Sequence, residues 1–214
     1  MEISDAAAQS RYQHAPRQGN GPVSDPARPA PQVTLQCTPT RNGDELVFPY
    51  TIANDGPGDV YVADAFYRVD PVTHVPSADR NLIAIEMQPD NFAMILRGNP
   101  RRPPFPVARA IQPLMHRLGS GQKLERQLSV PLPLAETSPY EPYSNVRDYT
   151  LKPIDGVVLA VDWMPAATPD LVATPAVGAE GYYTISAPNY LRDMQRLTSR
   201  FPTRGLSILE RVRK

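Results

Sequence analysis

Glu45-Leu46-Val47-Phe48-Pro49-Tyr50-Thr51-Ile52 decides the class of fold. Leu46, Phe48, Tyr50 and Ile52 alternate with Glu45, Val47, Pro49 and Thr51, so an extended chain presents one continuous apolar face. A period of two gathers those four side chains together; a helix would scatter them. Pro49 cannot donate to a ladder, which puts the strand at an edge or a bulge. Asn54-Asp55-Gly56-Pro57-Gly58-Asp59 then supplies turn chemistry, read as a tight hairpin, and residues 60–67 return as the next strand.

Working outward, residues 33–38, 81–87, 92–96, 124–132, 157–163 and 182–185 are further strand candidates separated by turn signals. The chain is expected to be all-β, an immunoglobulin-like β-sandwich of about 7–8 strands with a short C-terminal amphipathic helix. The 26 Pro residues agree with this, because Pro is excluded from helix interiors and central strands and belongs in loops and edges. No fixed-period repeat marks a solenoid or propeller.

Three regions are expected. Residues 1–31 hold almost no bulky apolar side chain and cannot offset backbone ordering at roughly 1–2 kcal/mol per residue, so they read as a disordered arm. Residues 32–187 form the sandwich. Residues 188–214 form a basic helix or tail, in which Tyr190, Met194, Leu197 and Phe201 recur at helical spacing with Arg192, Arg196 and Arg200 opposite. Ser186 or Asn189 stands ready to cap that helix, and Pro202 to stop it. Two connections, 97–122 and 133–156, exceed the ~12–15 residues usual for structureless loops, and the first is expected to hide a short helix between Arg109 and Leu118.

Residues 50–57, continuing through Val60, Val62 and Asp64, resemble the N-x-G-P hairpin of immunoglobulin-like repeat domains in bacterial surface and accessory proteins. The resemblance covers about fifteen residues. It implies an Ig-like sandwich of bacterial origin. The chain departs from that family where Asp64 runs into Ala65-Phe66-Tyr67, and no second copy follows.

The formal charge is zero but unevenly placed. Residues 1–96 carry 6 basic and 12 acidic side chains, residues 97–126 carry 7 and 1, residues 127–188 carry 2 and 7, and residues 189–214 carry 7 and 2. Such blocks suit a basic surface that meets an acidic partner. Arg97, Arg101, Arg102, Arg109 and Arg117 in the first basic block, with Arg192, Arg196 and Arg200 in the second, are the candidate protein- or anion-binding residues. Residues 97–103 also fit an R-x-x-P-x-x-P polyproline pattern, and Tyr140, Tyr143 and Tyr149 offer a second contact surface.

Catalytic chemistry is not signposted. His14, His74 and His116 share no metal-ligand spacing, and neither a serine elbow nor a Gly-rich phosphate loop is present. Asn54, Asp55, Asp59 and Asp64 do not match a calcium loop and read as a turn. Cys37, the single cysteine, reads as a small buried hydrophobe and excludes an internal disulfide. No cofactor or metal is expected. No apolar run reaches the roughly 20 residues of a transmembrane helix, and residues 1–14 lack the pattern of a signal peptide, so the compartment is open and cytoplasmic by default.

The leading expectation is a non-enzymatic protein-binding or assembly module whose partner is another protein or a second copy. An accessory protein that binds an anionic surface, nucleic acid or membrane, is the first alternative. A hydrolase or metal enzyme with a site dispersed among Asp64, His74 and Asp162 is the second.

Overall fold

A computed structural model describes residues 32–102, 111–140 and 149–212. The chain is all-β, with two multi-stranded sheets in a sandwich-like arrangement. The first sheet contains β1 (Val33–Cys37), β2 (Thr40–Asn42), β3 (Glu45–Asn54) and β9 (Lys123–Pro131). β1 and β2 line one margin of β3, and β9 lines the other. The larger sheet begins with β4 (Val60–Val69), β5 (Pro76–Asp79), β6 (Ala84–Met87), β7 (Phe92–Arg97), β8 (Leu114–Leu118) and β10 (Leu134–Ala135). It is completed by β11 (Tyr149–Pro165), β12 (Val172–Pro175), β13 (Tyr182–Ser186) and β14 (Gln195–Arg211).

The decisive stretch behaves as its alternation requires. Leu46, Phe48, Tyr50 and Ile52 are all buried, and Phe48 is completely so. They meet Leu124, Leu128 and Val130 of β9 and, across the sandwich, Val157, Leu159, Val161 and Trp163 of β11. Each side chain fully removed from water contributes about 1.5–3 kcal/mol. Pro49 sits mid-strand opposite Gln127, in the break between the stretches of β3 that pair with β1 and with β2.

The turn at residues 54–59 is not a hairpin. β3 belongs to one sheet and β4 to the other, so the segment arches between the layers. Asn54 acts as the keystone: it is fully buried, donates to the carbonyls of Gly58 (2.7 Å) and Leu118 (3.1 Å), and accepts from the Gly56 amide. Neither Asn54 nor Gly56 takes the positive φ that a tight hairpin needs.

The strands outnumber the seven or eight expected, because short pieces such as β2, β5, β10 and β12 decorate the sheet margins. The helix expected between Arg109 and Leu118 is replaced by β8 over its described C-terminal part. The C-terminal helix is present but lasts one turn, α1 (Tyr190–Asp193), with Asn189 at its start making no side-chain cap. From Gln195 the chain is a strand that pairs with β11 along almost its whole length. A spacing of four residues fits both one helical turn and two strand repeats, so Leu197 and Phe201 share a face in either geometry, as do Arg196 and Arg200. Pairing with β11 decides between them, and residues 195–211 belong to the sandwich.

β11 is the spine of the larger sheet. On one margin it carries β14. On the other, parallel β7 pairs with residues 156–161 and antiparallel β4 takes over at residues 163–165. Asp162 sits where the two neighbours part. No helix among the described residues is long and apolar enough to cross a membrane.

Candidate binding pocket at the parting of β7 and β4

β7 leaves β11 at Arg97, and Gly98-Asn99 turns across the gap onto Asp162. The Asn99 amide donates to Oδ2 of Asp162 at 2.8 Å. From the opposite margin, Arg196 of β14, the cross-strand partner of Asp162, donates from Nε to Oδ1 (2.6 Å) and from Nη2 to Oδ2 (3.0 Å). Asp162 is 2% exposed, and this two-pronged pair satisfies its charge. The guanidinium is held well charged, by the hydrogen bonds to Asp162 first and against the opposing effect of burial.

Above this floor lies a cavity of about 450 Å³. Its lining draws on three separate regions of sequence. The first long connection gives Asn99, Pro100, Arg101, Arg102 and Ile111; the second gives Tyr140; the C-terminal segment gives Tyr190, Leu191, Met194 and Arg196. Tyr140 ties two of them together by accepting the Ile111 amide at 3.0 Å. A volume of this size lies within the ~300–1,000 Å³ of small-ligand pockets.

Two buried polar atoms in the lining have no hydrogen-bond partner, Nδ2 of Asn99 and Oη of Tyr190. Tyr190 as a residue is 8% exposed. Burial pushes its phenol up to about 12, and the adjoining Asn99 side chain opposes this only in part. Leaving such groups unsatisfied costs about 1–3 kcal/mol each. Arg101 and Arg102 stand exposed on the rim, with no ion-pair partner among the described residues.

Of the eight arginines singled out in the sequence, the pocket gathers Arg101, Arg102 and Arg196. Arg109 lies outside the described residues, as does Tyr143. Arg97 is buried (3% exposed), donating to the backbone carbonyls of Asp64 and Arg80 and facing Asp64 at 3.6 Å, which is a core role. Arg117 on β8 pairs with Asp59, and Arg192 with its neighbour Asp193. Arg200 pairs with Asp90 at 2.6 Å over the Phe92 ring. The basic block at 97–126 is therefore no single loop: strands divide it, and acids of the same chain pair with Arg97, Arg117 and Arg126.

A second polar cluster lies inside the sandwich. Asp64 of β4, 1% exposed, receives Arg126 of β9 through two nitrogens and the Tyr182 hydroxyl at 2.8 Å. Arg97 and Arg80 stand 3.6 and 3.8 Å away. Burial alone would raise the Asp64 pKa, but the Arg126 hydrogen bonds and the Arg97 charge outweigh it and hold the carboxyl below its usual range. His116 lies edge-on to Tyr182, and burial lowers its pKa. Asp64 and Asp162 are thus each occupied by different arginines, and His74 stands in the turn before β5 at φ 56°. Among the described residues no group of three His, Cys, Asp or Glu could hold a metal ion.

Asn99 and Tyr190 were missed as polar site residues. Tyr190 was read for its ring alone, and Asn99 had no sequence signal beyond following a glycine at a strand end. Comparison with protein-family models, with curated proteins and with solved structures finds no match.

Proposed function

We propose that this protein is a non-enzymatic binding module that engages a segment of another protein at the pocket beside Asp162. The observation that carries the reading is convergence. Both long connections and the C-terminal segment contribute to one cavity, and two arginines on its rim lack acidic partners among the described residues. Binding residues commonly sit on connections held by a rigid scaffold. Exposed Leu191 at the mouth adds apolar contact surface. The partner is a different protein or a second copy of this chain.

The test is affinity capture with the full chain and with an Arg101→Glu/Arg102→Glu variant, followed by calorimetry with each purified captured protein. A partner whose affinity falls at least tenfold in the variant, at unchanged melting temperature, supports the reading. Partners bound equally by both forms would count against it.

A further inference from the structure

The carboxylate on the pocket floor is already spent, while two guanidiniums stand open on the rim. Both oxygens of Asp162 are occupied, by Arg196 and by the Asn99 backbone amide. The other polar groups of the lining include the side-chain amide of Asn99, the Tyr190 hydroxyl and the guanidiniums of Arg101 and Arg102, with Gln112 and Gln195 beside them. The Tyr190 phenol keeps its proton at neutral pH, because burial pushes its pKa to about 12, so it enters any such contact as a donor. Four donor-bearing side chains around one cavity, two of them cationic, call for an anionic acceptor. The wall also carries apolar side chains, those of Pro100, Ile111, Leu191 and Met194. Leu191 is 61% exposed, which leaves apolar surface uncovered at the mouth.

We infer that the pocket binds a carboxylate carried on an apolar body, either the C-terminus of a polypeptide or a free organic acid. Tyr190 and Asn99 donate to the carboxylate, Arg101 and Arg102 close over its charge, and the apolar wall takes the adjoining side chain or hydrocarbon. Planar guanidinium forks match carboxylate geometry, and capture of a chain terminus by converging donors is an established mode of recognition. A sulfate-like or phosphate anion would leave the apolar wall unused. The inference rests on the reading that this pocket is the protein's binding site.

Fluorescence polarisation on the full chain tests it, with labelled decapeptides that differ in their last residue, each made with a free carboxylate and as the amide. Hexanoate serves as the free organic acid. Free-acid peptides ending in an apolar residue should bind at least tenfold more tightly than their amides. Tyr190→Phe, which removes one oxygen and preserves the ring, should weaken that binding about tenfold, as expected for a hydrogen bond to a charged acceptor. Its melting temperature should not fall. Saturable hexanoate binding that Tyr190→Phe weakens, with every peptide excluded, would uphold carboxylate recognition while the protein-binding reading fails. Equal affinity for acids and amides, or full affinity in Tyr190→Phe, would overturn the inference and leave protein binding standing. The same holds if no probe binds saturably while a captured partner still depends on Arg101 and Arg102.

Discussion

Asp64 on β4 and Arg126 on β9 join the two sheets through the interior, with Nε–Oδ1, Nε–Oδ2 and Nη2–Oδ2 distances of 3.0, 3.0 and 2.9 Å. Arg126 occupies the inward row of β9, between Leu124 and Leu128, where an apolar side chain would otherwise pack. Tyr50 is its cross-strand neighbour, and the guanidinium of Arg97 lies 5.9 Å from the Tyr50 ring centre. The charge is thus embedded in an arginine-rich shell, and removing the acid strands that shell.

Asp64→Ala should destabilise the protein by about 3–5 kcal/mol, the usual result of breaking a buried pair and leaving its partner charged. Urea unfolding at neutral pH measures this. A loss below about 1 kcal/mol would mean that solvent reaches Arg97 and Arg126 freely.

Acid should weaken the fold in two stages. The native His116 pKa lies below its usual 6.5, chiefly because burial disfavours the charged ring, so the unfolded chain binds a proton first and stability falls as pH drops below about 6.5. Asp64 is also depressed in the native state, by its arginines against the opposing effect of burial. Its contribution is present above its unfolded pKa near 4 and is lost as pH falls through the native value. Denaturation free energies from pH 8 to 3 should therefore decline towards acid, and His116→Phe should flatten the upper stage alone.

Gly98 and Gly156 should not tolerate a side chain. A β-carbon on Gly98 would lie 2.2 Å from Oδ2 of Asp162, so Gly98→Ala should displace that carboxylate, disturb Arg196 and abolish binding at the pocket. Gly156 stands at the register shift of β11, where a β-carbon would meet the Phe201 carbonyl at 2.2 Å. That obstacle is backbone and cannot swing away. Gly156→Ala should cost more stability than Gly98→Ala, by about 1–3 kcal/mol or more relative to the native chain, as overpacking does. Melting curves of the two variants rank them.

A chain ending at Ser186 should fail to fold. It lacks α1 and β14, so it loses buried Tyr190, Leu206 and Ile208 and strips one whole margin of β11. Circular dichroism and limited proteolysis should find no cooperative transition. A folded monomer after this truncation would show that β14 is dispensable.

Cys37 should react slowly. Burial raises its thiol to about 11 from 9.0, outweighing the Thr38 backbone hydrogen bond, and two units correspond to about 100-fold less thiolate at neutral pH. Native protein should label far more slowly with a thiol reagent than protein in urea, and equal rates would place the sulfur in solvent.

The sequence by itself determined that the chain is built of strands, because alternation at Leu46, Phe48, Tyr50 and Ile52 and the abundance of Pro permit little else. It also pointed to the three regions that line the pocket, through loop length and clustered arginine. Tertiary structure decided the rest. The i+4 spacing of Leu197 and Phe201 satisfies helix and strand alike, and only the free margin of β11 made residues 195–211 a strand. Likewise, no local pattern distinguishes Arg97, spent on Asp64 in the core, from Arg101, left open at the rim. A guanidinium's role is set by which carboxylate the fold brings within reach, and those carboxylates are 33 and 34 residues away, at Asp64 for Arg97 and Asp162 for Arg196.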